Sequence, residues 1–155
     1  MPQPDDLSPD LTPNDLIIER TTDLDLGIEE LWDLISTPEG WSSWLVDDAD
    51  LVVVPGSNGV ATQDGARRAV HVQTVERGRG LTFSWWDADD PSSVSFVQLD
   101  IVELPFGGSQ LHISERLLGA TASVAMSSVR MDVDVAWQVR FVSLWLLALH
   151  STVLA

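Results

Sequence analysis

Residues 16–45, LIIERTTDLDLGIEELWDLISTPEGWSSWL, change their hydrophobic period once and then restart it, and this decides the fold class. Ile18, Arg20, Thr22 and Leu24 alternate with Ile17, Glu19, Thr21 and Asp23, the period of a strand. Ile28, Leu31, Trp32 and Ile35 then recur at i, i+3, i+4 and i+7, the apolar stripe of a short amphipathic helix. Thr37-Pro38-Glu39 combines an N-cap, a proline at the first helical position and an acid in the first turn. A second short helix therefore opens there, carrying Trp41, Trp44 and Leu45 on one face.

Working outward, an acidic turn, Asp47-Asp48-Ala49-Asp50, leads into strand-like runs over residues 51–54, 60–63, 66–76, 81–86, 93–104 and 111–118. Pro55-Gly56, Asn58-Gly59, Asp64-Gly65, Gly78-Arg79-Gly80 and Gly107-Gly108-Ser109 punctuate them. With the first strand this predicts about seven antiparallel strands. Residues 119–130 are rich in Ala and Ser and read as a loop or lid. A long helix follows from about Asp132, with Trp137, Phe141, Leu144, Trp145 and Ala148 on one stripe, and with Asp132 and Asp134 near its positive end. The order is that of an α+β domain with its helices on one side of an antiparallel sheet. Residues 1–14, rich in Pro and Asp, read as a flexible acidic arm, and residues 15–155 as a single domain.

The 155 residues hold 24 acids against 8 bases, every base an Arg, for a formal charge of −16, and no cysteine. The missing thiols exclude a disulfide scaffold, a thiol nucleophile and a thiolate zinc site. The charge repels polyanions, so neither nucleic acid nor an anionic membrane surface is an expected partner. The N-terminus lacks the basic and apolar regions of a secretory signal, and the apolar run between Arg140 and His150 is about half the ~20 residues of a membrane-spanning helix. A cytoplasmic protein without membrane insertion is the expectation.

Leu31-Trp32 followed by Thr37-Pro38-Glu39 and Trp44-Leu45, the Pro55-Gly56 turn, Arg77-Gly78-Arg79-Gly80 leading into Leu81-Thr82-Phe83-Ser84-Trp85, the Gly107-Gly108-Ser109 turn and a last helix with Trp137 occur in a telling order. In these features the chain resembles the bacterial activator of heat-shock protein 90 ATPase homologues, within the START-like (SRPBCC) superfamily. The resemblance implies a helix-grip (START/Bet v 1-like) fold, in which a curved sheet wraps the C-terminal helix around an elongated apolar cavity.

Seven tryptophans and no tyrosine provide aromatic surface without phenolic hydroxyls, which favours binding over catalysis. Facing inward, Leu81, Phe83 and Trp85 would meet Trp137 and Phe141, with Trp41 and Trp44 closing one end; each could equally fill the core. One member of Trp85-Trp86 must face outward. Glu115, sharing a face with Leu111 and Ile113, is the candidate polar anchor at the cavity mouth, or else the partner of an Arg. His71, His112 and His150 lack metal-ligand spacing, and no motif activates a serine, so no metal, cofactor or catalytic residue is expected. The leading reading is a non-enzymatic domain that binds a small hydrophobic ligand, lipid-like or aromatic, between the sheet and the C-terminal helix. Alternatives are a co-chaperone-type module with a protein partner and a polyketide cyclase-like enzyme using Glu115, His71 or His112. The apolar run Leu144-Trp145-Leu146-Leu147 adds the expectation of a homodimer.

Overall fold

The computed structural model describes residues 16–105, 107–117 and 123–154, with the side chains of the last helix described over 130–149. Seven strands form one antiparallel sheet: β1 (Leu16–Leu24), β2 (Asp48–Asp50), β3 (Asn58–Gln63), β4 (Ala66–Glu76), β5 (Gly80–Asp87), β6 (Asp90–Glu103) and β7 (Ser109–Leu117). Their spatial order is β1-β7-β6-β5-β4-β3-β2, so β2 to β7 form a meander and β1 pairs with the last strand from Leu16↔Leu117 to Leu24↔Ser109. The described residues also form three helices: α1 (Ile28–Ser36), α2 (Pro38–Trp44) and α3 (Ser123–Leu154). Strand alternation puts Val70, Val72, Leu81, Phe83, Trp85, Val97, Leu99, Leu111 and Ile113 in the core, where Trp137, Phe141 and Leu144 of α3 are buried with them.

The α1–α2 junction shows how local chemistry fixes the entry to this core. A helix end leaves carbonyls without partners. Here Thr37 Oγ1 donates to Asp33 O at 2.7 Å, Trp44 Nε1 to Leu34 O at 2.8 Å and Trp41 Nε1 to Ile35 O at 2.7 Å. Thr37 Oγ1 also accepts from Gly40 N at 2.9 Å, capping α2 as the sequence predicts. Gly40 is required at the crossing, because a Cβ there would lie 2.5 Å from Asp33 O and 2.6 Å from Leu34 Cα. Thr37→Ala removes both hydroxyl bonds and is expected to lower stability by about 1 kcal/mol in urea unfolding; no change would mean that the indoles alone hold the junction.

Three expectations are corrected. Residues 51–54 are not a strand: pairing ends at Asp50↔Val60, and Leu51 turns in over Gly59, where no side chain could be accommodated. Leu51 and Val53 still point inward while Val52 and Val54 are exposed, so the alternation that suggested a strand reflects burial without sheet hydrogen bonding. Asp48 and Asp50, expected in a turn, occupy the edge strand β2, where exposed charge discourages further strand addition. The loop or lid expected over 119–130 is helical from Ser123, since no Gly or Pro follows Gly119 to break it. Asp132 and Asp134 therefore lie well inside α3 instead of at its start, and Asp134 pairs with Arg20 of β1 at 2.8 Å. The expected arm, residues 1–14, and the remainder of the lid lie outside the described residues.

Candidate functional site

β7 carries Leu111, Ile113 and Glu115 on its inner face, which places a carboxylate among apolar neighbours at one end of the sheet. Glu115 is 4% exposed and accepts three hydrogen bonds: Trp137 Nε1 at 2.9 Å on one oxygen, and Trp85 Nε1 at 2.9 Å and Ser95 Oγ at 2.6 Å on the other. Ser95 reaches it because β6 pairs Val97 with Glu115 and Ser95 with Leu117, setting Ser95 diagonally beside the carboxylate on the same face. Burying a carboxylate is costly unless donors replace its water, and these three do so.

The same indoles connect Glu115 to a buried cation. Arg140, also 4% exposed, donates Nε to Leu45 O at 2.8 Å and Nη2 to Gln63 Oε1 at 2.8 Å. Its Cζ lies 4.6 Å from the Trp137 ring centroid and 5.2 Å from that of Trp85, and Arg68 Cζ lies 4.3 Å from the Trp85 ring. Each indole thus offers its electron-rich face to a guanidinium and its N–H edge to the carboxylate, an arrangement matched to the polarity of the ring. Burial lowers the Arg140 pKa to about 10, against the opposing pull of Glu115, so the guanidinium stays charged at neutral pH.

A cleft of about 300 Å³ opens onto this group, lined by residues that include Arg67, Arg68, Trp85, Ser95, Glu115 and Val133. A larger hollow of about 430 Å³ lies between α1 and the β4–β5 turn, beside Ile28, Trp32 and Arg77, but it holds no buried polar group to orient a ligand. Of the eight residues singled out from sequence, Trp85 and Glu115 line the first cleft and Trp137 is bonded to its floor. Trp41, Trp44, Leu81, Phe83 and Phe141 are buried behind it. Ring centroids 4.7 Å apart for Trp41–Phe83, 6.4 Å for Trp44–Trp137 and 6.4 Å for Trp137–Phe141 pack the four aromatic members against one another or against Trp137, and the Trp41 and Trp44 N–H groups are engaged in capping α1.

Arg68, Ser95 and Arg140 escaped the sequence reading. Arg140 had a signal: it is the one charged residue between Asp134 and Leu149, and it falls on the stripe of Trp137, Phe141 and Leu144. Arg68 has the parity of the inward Val70 and Val72. Trp86, on the other parity from Trp85, is half-buried, and the register with β6 shifts between Trp85 and Asp87. His71 bonds Asn58 at 2.9 Å, and His112 bonds Thr21 at 2.9 Å beside Glu19; both have the parity opposite to the inward residues of their strands. Neither therefore shares the cleft with Glu115, and the His150 side chain lies outside the described residues. Among the described residues no helix is long and apolar enough to cross a membrane.

No protein-family model matches the chain, and no curated protein does. Solved structures do. Protein MLL2253 from Mesorhizobium loti is similar with a TM-score of 0.68 and 23% identity over 86% of this chain and 95% of its own. Ara h 8.0201 gives 0.68 and 13% over 88% and 99%. The Aha1 dimer from Colwellia psychrerythraea gives 0.67 and 13% over 84% and 93%. At such identities the likeness concerns the fold, and it joins the seven-stranded sheet, the paired short helices and the long last helix into one conclusion: the chain has the helix-grip fold of Bet v 1-like and START-like proteins.

Proposed function

We propose that this chain binds a small hydrophobic molecule, aromatic or lipid-like, in the cleft between the sheet and α3, and performs no chemistry on it. The observation that carries this reading is the buried Glu115 carboxylate at the floor of a cleft walled by indole, with Arg67 and Arg68 at its edge. Apolar burial would supply the affinity, at about 25 cal/mol per Å², and the few polar groups the orientation. A cleft of about 300 Å³ suits a compact ligand, such as two or three aromatic rings or a single acyl chain. Binding rather than turnover is favoured because all three donors on Glu115 are spent in holding it, and because neither His71 nor His112 is on its face of the sheet.

Tryptophan emission provides the test, since Trp85 lines the cleft. Titration with anilinonaphthalene sulfonate or dodecanoate should perturb the emission saturably. Arg68→Ala, a change at a half-exposed side chain, should weaken uptake of these anionic probes about tenfold, equivalent to ~1.4 kcal/mol, with the fold unchanged. An emission indifferent to both probes, together with a native mass spectrum free of any retained small molecule, would overturn the reading.

A further inference from the structure

The outward face of α3 carries Val135, Val139, Val142, Leu146 and Leu149, exposed by 56, 58, 41, 61 and 62%. Successive members are four, three, four and three residues apart, the heptad spacing of a coiled-coil seam. The stripe of Trp137, Arg140, Phe141 and Leu144 is already buried on the inner side. Packing on one sheet requires one apolar face, and α3 has two. The exposed seam is also not the run that the sequence suggests, because Leu144 is fully buried and only Trp145 and Leu146 of that run are strongly exposed.

We propose that this seam pairs with the same seam of a second copy across a two-fold axis, forming a helix-to-helix dimer interface. Three observations select that occupant. The first is shape: a 4-3 row of Val and Leu forms knobs and holes that another helix with the same spacing fills, and a two-fold axis supplies such a helix. The second is area. With Met131 and Trp145 at its edges, the strip exposes roughly 700 Å² of apolar side chain per copy, and two such strips reach the ~1,200–2,000 Å² of a standard specific interface.

The third observation is charge. The chain carries −16, so two copies repel across most of their surfaces. From Val135 to Leu149 the one charged residue is Arg140, which is buried, and at the Met131 end the exposed Arg130 and Asp132 carry opposite signs, so copies can approach along most of this strip without opposing carboxylates. Arg130, beside Met131, is the one exposed base of α3 between residues 130 and 149, too few to favour an anionic membrane surface as the occupant.

Sedimentation equilibrium on the full chain at about 100 μM should give twice the 17.0 kDa chain mass. Leu146→Glu and Val142→Glu each place a charge twice at the axis-related interface and should raise the dissociation constant at least about a hundredfold. Both side chains are exposed in the single copy, so circular dichroism and ligand uptake should remain those of the native chain. Raising the salt from about 0.05 to about 0.5 M should tighten the dimer by screening self-repulsion, the opposite of an interface built from ion pairs. A 17.0 kDa species at every concentration, a dimer indifferent to both glutamates, or one that salt weakens would overturn the assignment.

Discussion

Glu115→Leu is expected to lower the free energy of unfolding by about 4 kcal/mol, the range for removing one partner from a buried charged network. Leu fits the volume and leaves no new charge, so the loss comes from what it abandons. Trp85 Nε1, Trp137 Nε1 and Ser95 Oγ would remain buried with no acceptor, and Arg140 would lose the nearby negative charge that offsets its desolvation. Glu115→Gln keeps a carbonyl oxygen but turns an NH₂ group towards donors, and should cost about half as much. Urea unfolding followed by tryptophan emission measures both. A loss below about 1 kcal/mol for Glu115→Leu would show that water replaces the carboxylate easily, and that the cleft floor is wetter than its burial implies.

Trp41→Ala should cost about as much, ~3–5 kcal/mol, by a different route. Its ring is fully buried against Phe83, and its N–H supplies the partner of the Ile35 carbonyl at the end of α1. Alanine leaves a cavity and an unpaired carbonyl together. Trp41→Phe separates the two, because it retains most of the volume and loses the hydrogen bond, at an expected cost of about 1–2 kcal/mol. If Trp41 serves the junction, the folded Trp41→Phe variant should take up the fluorescent probe as the native chain does. A large loss of uptake without loss of stability would return Trp41 to the ligand site, where the sequence places it.

The contrast between these residues explains what was legible in the sequence. Periodicity identifies which residues face inward: Leu81, Phe83, Trp85, Glu115, Trp137 and Phe141 all do. It does not separate filling from lining, since that depends on which side chains meet across elements far apart in the chain. Trp85 and Glu115 are 30 residues apart, and Leu45 and Arg140 are 95 apart, yet each pair is joined by one hydrogen bond. The segment over 119–130 failed for another reason. Small residues are consistent with either loop or helix, and packing of the neighbouring stretch settles the choice.

The sequence by itself determined the order of elements, the antiparallel α+β class, the Thr37-Pro38 helix start and the acidic surface, because each is written in local period, turn chemistry or charge count. Tertiary structure alone decided that Trp41 and Trp44 cap a helix while Trp85 walls a cleft, that Arg140 stays charged beneath two indoles, and that α3 keeps a second apolar face. Burial, hydrogen-bond partnership and exposure belong to pairs of elements in space, and no single stretch of chain contains both members of such a pair.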